Sequence, residues 1–232
     1  MTAPRLMFSL ATLLAAAGAL AAEPRPYHAD YQAYAFGQQV GEATRRLEHD
    51  GDIWRLSLNS TASLLFVSDR REEVSELHYD GHGWQSLRYR YREKNTKSRE
   101  GEQAFDWTKK TASGNKEGRP WQLPLDGIAF DQAGYQLQLG QDLAAGKTDF
   151  SYTLIHRGKL KHYHFERKGT ETLDTPAGKL DTIRLEKPAA TPDDESTIIW
   201  FAPKLDYVPV RIQHLSGGKP QAELRLTAFT SE

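Results

Sequence analysis

Two histidines on one predicted strand are the first residues in this sequence whose spacing could support chemistry. His162 and His164 are separated by one residue, so on a strand both imidazoles point to the same face. His156, across a predicted hairpin, could supply a third nitrogen to a metal ion. A solvent-facing pair opposite Tyr163 and Phe165 explains the same pattern without a metal. We therefore predict no metal site.

A glycine-rich segment ending in Gly146-Lys147-Thr148 has the composition of a phosphate-binding loop. That motif requires four residues between its glycines, whereas five separate Gly140 from Gly146. Its position at the C-terminal end of a predicted helix instead favours Gly146 as a helix cap. The chain also contains no Cys and no Gly-x-Ser-x-Gly elbow. We predict no cofactor, no catalytic residue and no enzyme, and a carboxylate-based hydrolase of an envelope polymer is the least favoured alternative.

A row of arginines is the strongest candidate for a binding surface. Arg88, Arg90 and Arg92 alternate with Tyr89 and Tyr91, so on a strand the arginines share one face and the tyrosines the other. Such a row could bind an anionic lipid headgroup through charge-assisted hydrogen bonds. The alternative is a solubilising outer face whose charges pair with glutamates of the preceding strand.

The tryptophans of the chain are candidates for the core or for a ligand pocket. Five tryptophans either fill the core or line a pocket, because aromatic residues dominate both kinds of burial. A long sheet curled around one helix leaves part of its concave face uncovered, and such a surface takes a ligand or a partner. The predicted ligand-binding residues are the aromatic and cationic side chains Tyr89, Tyr91, Phe130, Trp200, Arg88, Arg90 and Arg92.

Alternating polar and apolar residues, with turn signals between them, predict about a dozen short strands. Asp50-Gly51 and Asp80–Gly83 are typical of hairpin turns, and seven further strands follow between Phe150 and Phe229. The predicted helix is Asp126–Ala145, where apolar residues recur near a 3.6-residue period, and Ser113–Gly118 is predicted to be a loop. The pattern indicates a mainly β (α+β) fold, a single curved antiparallel sheet or half-barrel with one main helix packed on its concave face.

Proline also constrains the sheet. Ser196–Trp200 and Tyr207–Ile212 predict a hairpin around the turn residues of Ala202–Asp206. Because Pro209 has no N–H to donate to a ladder, its strand is expected at an edge of the sheet or at a bulge.

The first 22 residues have the pattern of a secretory signal peptide. Arg5 provides a short positive region, an apolar run starts at Leu6, and Ala19-Leu-Ala21 provides small residues for cleavage after Ala21 or Ala22. We predict a periplasmic protein with a signal peptide at 1–22 and a single β-rich domain at 23–232. No later apolar run is long enough to span a membrane, and 30 basic against 31 acidic side chains argues against a nucleic-acid partner.

Three segments resemble a bacterial envelope family, the domain of unknown function 3108. They are Trp200 followed by a short loop and Tyr207-Val-Pro-Val-Arg-Ile, the run TPAGKLDTI starting at Thr175, and Leu125-Asp-Gly-Ile-Ala. The likeness covers most of the chain after about residue 26. It implies an architecture similar to the lipoprotein carriers of the outer-membrane localisation pathway, whose curved sheets hold acyl chains, and it implies no catalytic residues.

From this resemblance and the strand pattern we predict a non-enzymatic periplasmic protein that binds an apolar or lipid-like ligand in the concavity of its sheet. The alternative is an envelope assembly or protein-interaction factor that docks a partner through the strand of Pro209 or through the concave face.

Overall fold

The computed structural model describes residues 23–64, 67–95, 98–191 and 194–232. The predicted signal peptide therefore lies outside the described residues. Within these ranges the chain forms fourteen strands, one α-helix, α1 (Tyr135–Ala144), and a 3-10 turn at Pro203–Leu205. The strands are β1 (Tyr27–Ala35), β2 (Gln38–Asp50), β3 (Ile53–Leu64), β4 (Val67–Tyr79), β5 (Trp84–Lys94), β6 (Ser98–Asp106), β7 (Thr111–Lys116), β8 (Arg119–Pro124), β9 (Phe150–His156), β10 (Lys159–Thr175), β11 (Gly178–Lys187), β12 (Glu195–Ala202), β13 (Val208–Ser216) and β14 (Lys219–Ser231).

All fourteen strands belong to one antiparallel sheet in the order β8-β7-β6-β5-β4-β3-β2-β1-β14-β13-β12-β11-β10-β9. The sheet thus consists of two meanders, β1–β8 and β9–β14, which meet where the first strand pairs with the last. Short turns explain the order within each meander, since a two-residue hairpin forces sequential strands to be neighbours. The predicted mainly β fold with a single curved antiparallel sheet is confirmed.

The two ends of the sheet overlap without joining in a barrel. The outer side of β9 packs on the inner side of β6 and β7, where Ile155 joins a small apolar cluster with Phe105 and Ala112. The turn after β9 fits tightly against β8, because a Cβ on Gly158 would lie 2.8 Å from the ring of Trp121. The sheet therefore coils past itself, and its concave face encloses the main apolar core.

The helix is shorter than predicted, and its first nine expected residues are not helical. Phe130 instead forms a parallel bridge with Leu154 of β9, and the Asp131 carboxylate accepts hydrogen bonds from the N–H groups of Ala133 and Gly134 (2.8 and 2.7 Å). These contacts hold the chain extended and then turn it, so α1 begins only at Tyr135. The C-terminal end agrees with the sequence, where Gly146 adopts the left-handed conformation (φ +71°) of a helix cap.

Two other local predictions need correction. The expected loop Ser113–Gly118 is mostly strand β7, which turns only at Glu117-Gly118. Pro209 lies in β13, an interior strand between β12 and β14, so the edge alternative is wrong. The bulge alternative is confirmed, because Trp200 pairs with Arg211 while the next residue, Phe201, pairs with Pro209.

One predicted pair of strands is a single strand. Two of the seven strands predicted between Phe150 and Phe229, at 160–167 and 170–174, form the continuous strand β10. This strand passes through a register shift between Arg167 and Gly169. Within the described residues, no helix is long and apolar enough to cross a membrane.

Candidate functional site

The candidate site lies where α1 sits on the concave face, against β5, β9 and β13. Two glycines let the helix approach the sheet closely. A Cβ on Gly140 would lie 3.0 Å from the carbonyl oxygen of Tyr207, and a Cβ on Gly134 would lie 2.8 Å from the side chain of Leu77. The glycines that weaken the helical propensity of this segment are therefore used for packing.

Polar groups attach α1 to the surrounding strands. The Gln138 side-chain oxygen accepts the N–H of Trp84 at 2.7 Å, and the Tyr152 hydroxyl donates to Asp142 at 2.7 Å. Burial, together with the Asp142 carboxylate that accepts this hydrogen bond, raises the pKa of Tyr152. The Gln141 amide donates to the hydroxyl of Tyr79 at 2.9 Å. Hydrogen bonds therefore add to the apolar contacts of Leu139 and Leu143 in holding the helix.

A cavity of about 90 Å³ remains between α1, the N-terminal segment and the sheet. Its mouth carries Glu23 and an exposed ion pair between Arg25 and Asp206 (3.1 Å). Most of its walls are apolar or aromatic, with side chains from the helix and from β1, β2, β5 and β13 among them: Tyr27, Leu47, Trp84, Leu137, Ala144, Tyr207, Val208 and Pro209.

Arg45 of β2 lines this cavity and is only 3% exposed. Its Nε donates to the Tyr27 hydroxyl and its Nη1 to the Gln136 side-chain oxygen, both at 2.6 Å. Its Nη2 is buried and has no hydrogen-bond partner. No carboxylate of the described residues lies within ion-pair distance of the guanidinium. The site therefore contains a buried positive charge balanced only by neutral oxygens.

The electrostatics of this group follow from burial. Burial alone lowers the pKa of Arg45, but the oxygens of Tyr27 and Tyr31 and the hydrogen bond to Tyr27 outweigh that effect and raise the pKa overall. Burial raises the pKa of Tyr31 and of Tyr135, the two neighbouring hydroxyls, so both stay neutral. Arg45 keeps its charge at any pH that the fold tolerates.

Three of the predicted site residues lie in the packed interior. Tyr89 and Tyr91 face inward with their rings 6.2 Å apart, and the Tyr89 hydroxyl donates to the buried Glu73. Phe130 packs edge-on against Tyr152 at 5.9 Å. They belong to the main core around α1 and do not line the cavity beneath the helix, although Tyr91 also lines the open cleft that Arg90 and Arg92 border. Their role in ligand binding stays a prediction.

Trp200 lies on the other face of the sheet from α1. The ring of the adjacent residue Phe201 points towards Gly140 of the helix, and alternation along β12 turns Trp200 outward. There its ring packs under the guanidinium of Arg211 at 4.8 Å, and its Nε1 donates to Glu171. Sequence alone did not predict this orientation, because both faces of β12 are buried.

The arginine row is exposed on the outer face, as the alternation predicts. Arg90 and Arg92 border an open cleft of about 580 Å³, which Tyr91 and three glutamates also line: Glu72, Glu100 and Glu102. This cleft is larger than the cavity beneath α1, but its glutamates offset its arginines and it is open to solvent. Arg92 lies 3.7 Å from Glu100, Glu72 is its cross-strand neighbour, and Glu76 is that of Arg88. The sheet thus separates Arg88, Arg90 and Arg92 from the concave face, and headgroup binding by them stays a prediction.

The histidines considered for a metal have ordinary partners. His164 and His162 lie within hydrogen-bond distance of the hydroxyls of Ser151 and Thr153, at 3.0 and 3.1 Å, on an exposed face. Among the residues that the structure describes, no group of three His, Asp or Glu side chains is arranged to hold a metal ion.

Arg45 was not among the residues predicted from the sequence, although a signal was present. Along β2, Ala43, Arg45 and Leu47 share one face, while Arg46 and Glu48 share the other. Arg45 is thus a charged residue on an otherwise apolar face of its strand, which marks it as buried or functional.

Comparisons with known proteins agree with this architecture. The crystal structure of a β-barrel-like protein of domain of unknown function 1849 from Brucella abortus superposes with a TM-score of 0.59, covering 90% of this chain and 98% of that chain at 9% identity. At that identity the likeness shows the fold alone. A "putative lipoprotein" from Parabacteroides distasonis reaches a TM-score of only 0.36, at 10% identity over 89% of this chain and 96% of its own, and supports no inference. No curated protein matches the sequence. The family model "Protein of unknown function (DUF3108)" matches residues 27–225, so the chain belongs to this family.

Proposed function

We propose that this is a non-enzymatic periplasmic protein that binds an apolar or lipid-like ligand on the concave face of its sheet, beneath α1. The observation that carries the proposal is the apolar cavity between α1 and the sheet. The signal-peptide pattern of the first 22 residues supports the location.

The helix has the properties of a lid. A cavity of 90 Å³ is far smaller than the roughly 300–1,000 Å³ of typical ligand sites, so an acyl chain enters only if α1 moves. The contacts that Gln138, Gln141 and Asp142 make with the strands are hydrogen bonds that water can replace. The net cost is about 1 kcal/mol for each glutamine contact and about 1.5–3 kcal/mol for the contact to the Asp142 carboxylate. Lifting α1 uncovers the apolar side chains below it, and a bound chain covers them again.

Native mass spectrometry of protein released gently from periplasm, followed by organic extraction, tests the proposal. We expect a discrete adduct that extracts as lipid, on a polypeptide that starts at Ala22 or Glu23. A bare mass, with no uptake of added phospholipid or fatty acid, contradicts ligand binding and favours the alternative of an envelope assembly or interaction factor.

A matched pair of variants shows whether the cavity is the site. Ala144 lines the cavity, whereas its neighbour Ala145 is exposed to solvent. We expect Ala144→Phe to fill the cavity and reduce lipid uptake, and Ala145→Phe to leave uptake unchanged. Equal uptake by both variants would place the ligand elsewhere.

A further inference from the structure

The buried guanidinium of Arg45 lacks the partner that such a group normally has. Removing a charge from water carries a penalty of several kcal/mol, which proteins offset with an opposite charge and a full set of hydrogen bonds. Arg45 has two neutral acceptors, on Tyr27 and Gln136, and its buried Nη2 has none. Within the described part of the chain, no acidic group lies close enough to form an ion pair with it.

The surroundings of Arg45 are those of an amphiphile site. The charge lies beside a cavity whose other walls include the side chains of Leu47, Leu137, Trp84 and Val208. A volume of 90 Å³ exceeds the roughly 10–15 Å³ that holds one water molecule, so it accommodates a three-atom carboxylate and the first carbons of a chain.

We propose that this cavity binds the carboxylate of a fatty acid, with Arg45 as its ionic partner and the alkyl chain along the apolar walls under α1. The inference rests on the proposed function and specifies its ligand class. An arginine suits a carboxylate because the planar guanidinium donates two parallel hydrogen bonds to its two oxygens. Charge complementarity selects the anion, since a neutral head would leave the guanidinium uncompensated.

The acidic residues near the cavity do not oppose this assignment. Asp206 is already ion-paired with Arg25, and Glu23 lies at the exposed mouth. Charges in contact with solvent are screened, whereas the buried Arg45 acts through a medium of low dielectric constant. The attraction of Arg45 for an anion therefore exceeds the repulsion from the mouth.

Calorimetric titration at pH 8 with decanoate, decanol and acetate tests the proposal. We compare the wild type with Arg45→Met and with the control Arg46→Met, whose residue points outward on the same strand and pairs with Glu48 at 3.5 Å. We expect Arg45→Met to weaken decanoate binding by about 10- to 100-fold, as for a lost charged hydrogen bond. Decanol binding should not change, and Arg46→Met should bind like the wild type.

The outcomes distinguish the role of Arg45 from the proposed carrier function. Equal affinity of the wild type and Arg45→Met for decanoate overturns the role of Arg45 and leaves the carrier function standing. Failure of both ten-carbon ligands to bind the wild type overturns the proposed function as well. Acetate binding as tightly as decanoate shows a site for free anions and overturns the fatty-acid assignment.

A test on the wild type alone keeps the proposal falsifiable if Arg45→Met does not fold, as judged by circular dichroism. Decyltrimethylammonium has the same chain length as decanoate and a positive head. We expect it to bind at least 10-fold more weakly than decanoate. Comparable affinities would refute an anion-selective site.

Discussion

The attachment of α1 depends on one buried carboxylate, and its removal gives a sharp prediction. Asp131 is completely buried and accepts hydrogen bonds from the hydroxyls of Ser75 and Ser86, both at 2.6 Å. It also accepts the N–H groups of Ala133 and Gly134 at 2.8 and 2.7 Å. One side chain thus joins β4, β5 and the start of the helix.

We expect Asp131→Ala to lower the free energy of unfolding by roughly 3–5 kcal/mol. The two serine hydroxyls can rotate towards other acceptors, but the two N–H groups are fixed and buried, and each unsatisfied donor costs about 1–3 kcal/mol. Loss of the buried carboxylate from its packed site adds a cavity term. The sum is a large part of the stability of an average domain, which is about 5–15 kcal/mol.

Asp131→Asn is the informative partner variant. Its amide oxygen can still accept both N–H groups, and its amide nitrogen can donate to hydroxyls that turn to accept. We expect a loss of about 1 kcal/mol for this substitution. Asp126→Ala, at an exposed residue of the same connection, is the control and should change stability by less than about 0.5 kcal/mol.

Urea unfolding followed by tryptophan fluorescence measures these differences, and hydrogen exchange locates them. The amides of α1 should lose protection in Asp131→Ala before the strands do, because the helix loses its attachment first. An Asp131→Ala protein within 1 kcal/mol of the wild type, or one whose helix amides keep their protection, would show that Asp131 does not hold α1.

Two further predictions concern the sheet. Glu223 accepts hydrogen bonds from Arg211 (2.6 Å) and Arg225 (2.7 Å). Burial raises the pKa of Glu223, but the hydrogen bonds from Arg225, Gln213 and Arg211 outweigh burial, so the pKa is lowered overall. The resulting stability is present above the ordinary carboxyl pKa of about 4.3 and is lost as the pH falls through the lowered folded value. Glu223→Gln should therefore lower the free energy of unfolding by about 2 kcal/mol at pH 7 and by progressively less below pH 4, as measured by urea titration. A difference between variant and wild type that does not change with pH would contradict this reasoning. Gly41→Ala should destabilise the sheet by on the order of 1–3 kcal/mol, because the new Cβ would lie 1.9 Å from the carbonyl oxygen of Thr61. Gly127→Ala is the control in thermal unfolding, because a Cβ on Gly127 has no atom within 4 Å. Equal melting temperatures of the two variants would contradict the close contact between Gly41 and Thr61.

Local patterns were enough to predict most of the strands and the face of many side chains, although β7 was expected to be a loop. Arg88, Arg90 and Arg92 point outward, and Tyr89 and Tyr91 inward, because alternation along a strand is a property of the backbone. Turn residues such as Asp50-Gly51 indicated that successive strands pair with each other, since a short turn brings only the next strand within reach. The mainly β class follows from these local rules.

The candidate site depended on contacts between distant parts of the chain. Arg45 is buried beside Tyr27 of the neighbouring strand β1 and against α1, where Gln136, which accepts its Nη1 hydrogen bond, is 91 residues away in the sequence. The helix starts late because Asp131 and Phe130 are bound to β4, β5 and β9, which no local propensity could indicate.

The sequence by itself determined most of the strands, the turns between them, and which side chains of β5 face outward and which face inward. The tertiary structure decided the pairing of β1 with β14, the interior position of Pro209, the outward face of Trp200 and the cavity beside Arg45. The physical reason is the range of the interactions involved. Alternation and turn geometry act over a few residues, whereas the coiling of the sheet and the burial of a charge arise only when distant strands pack together.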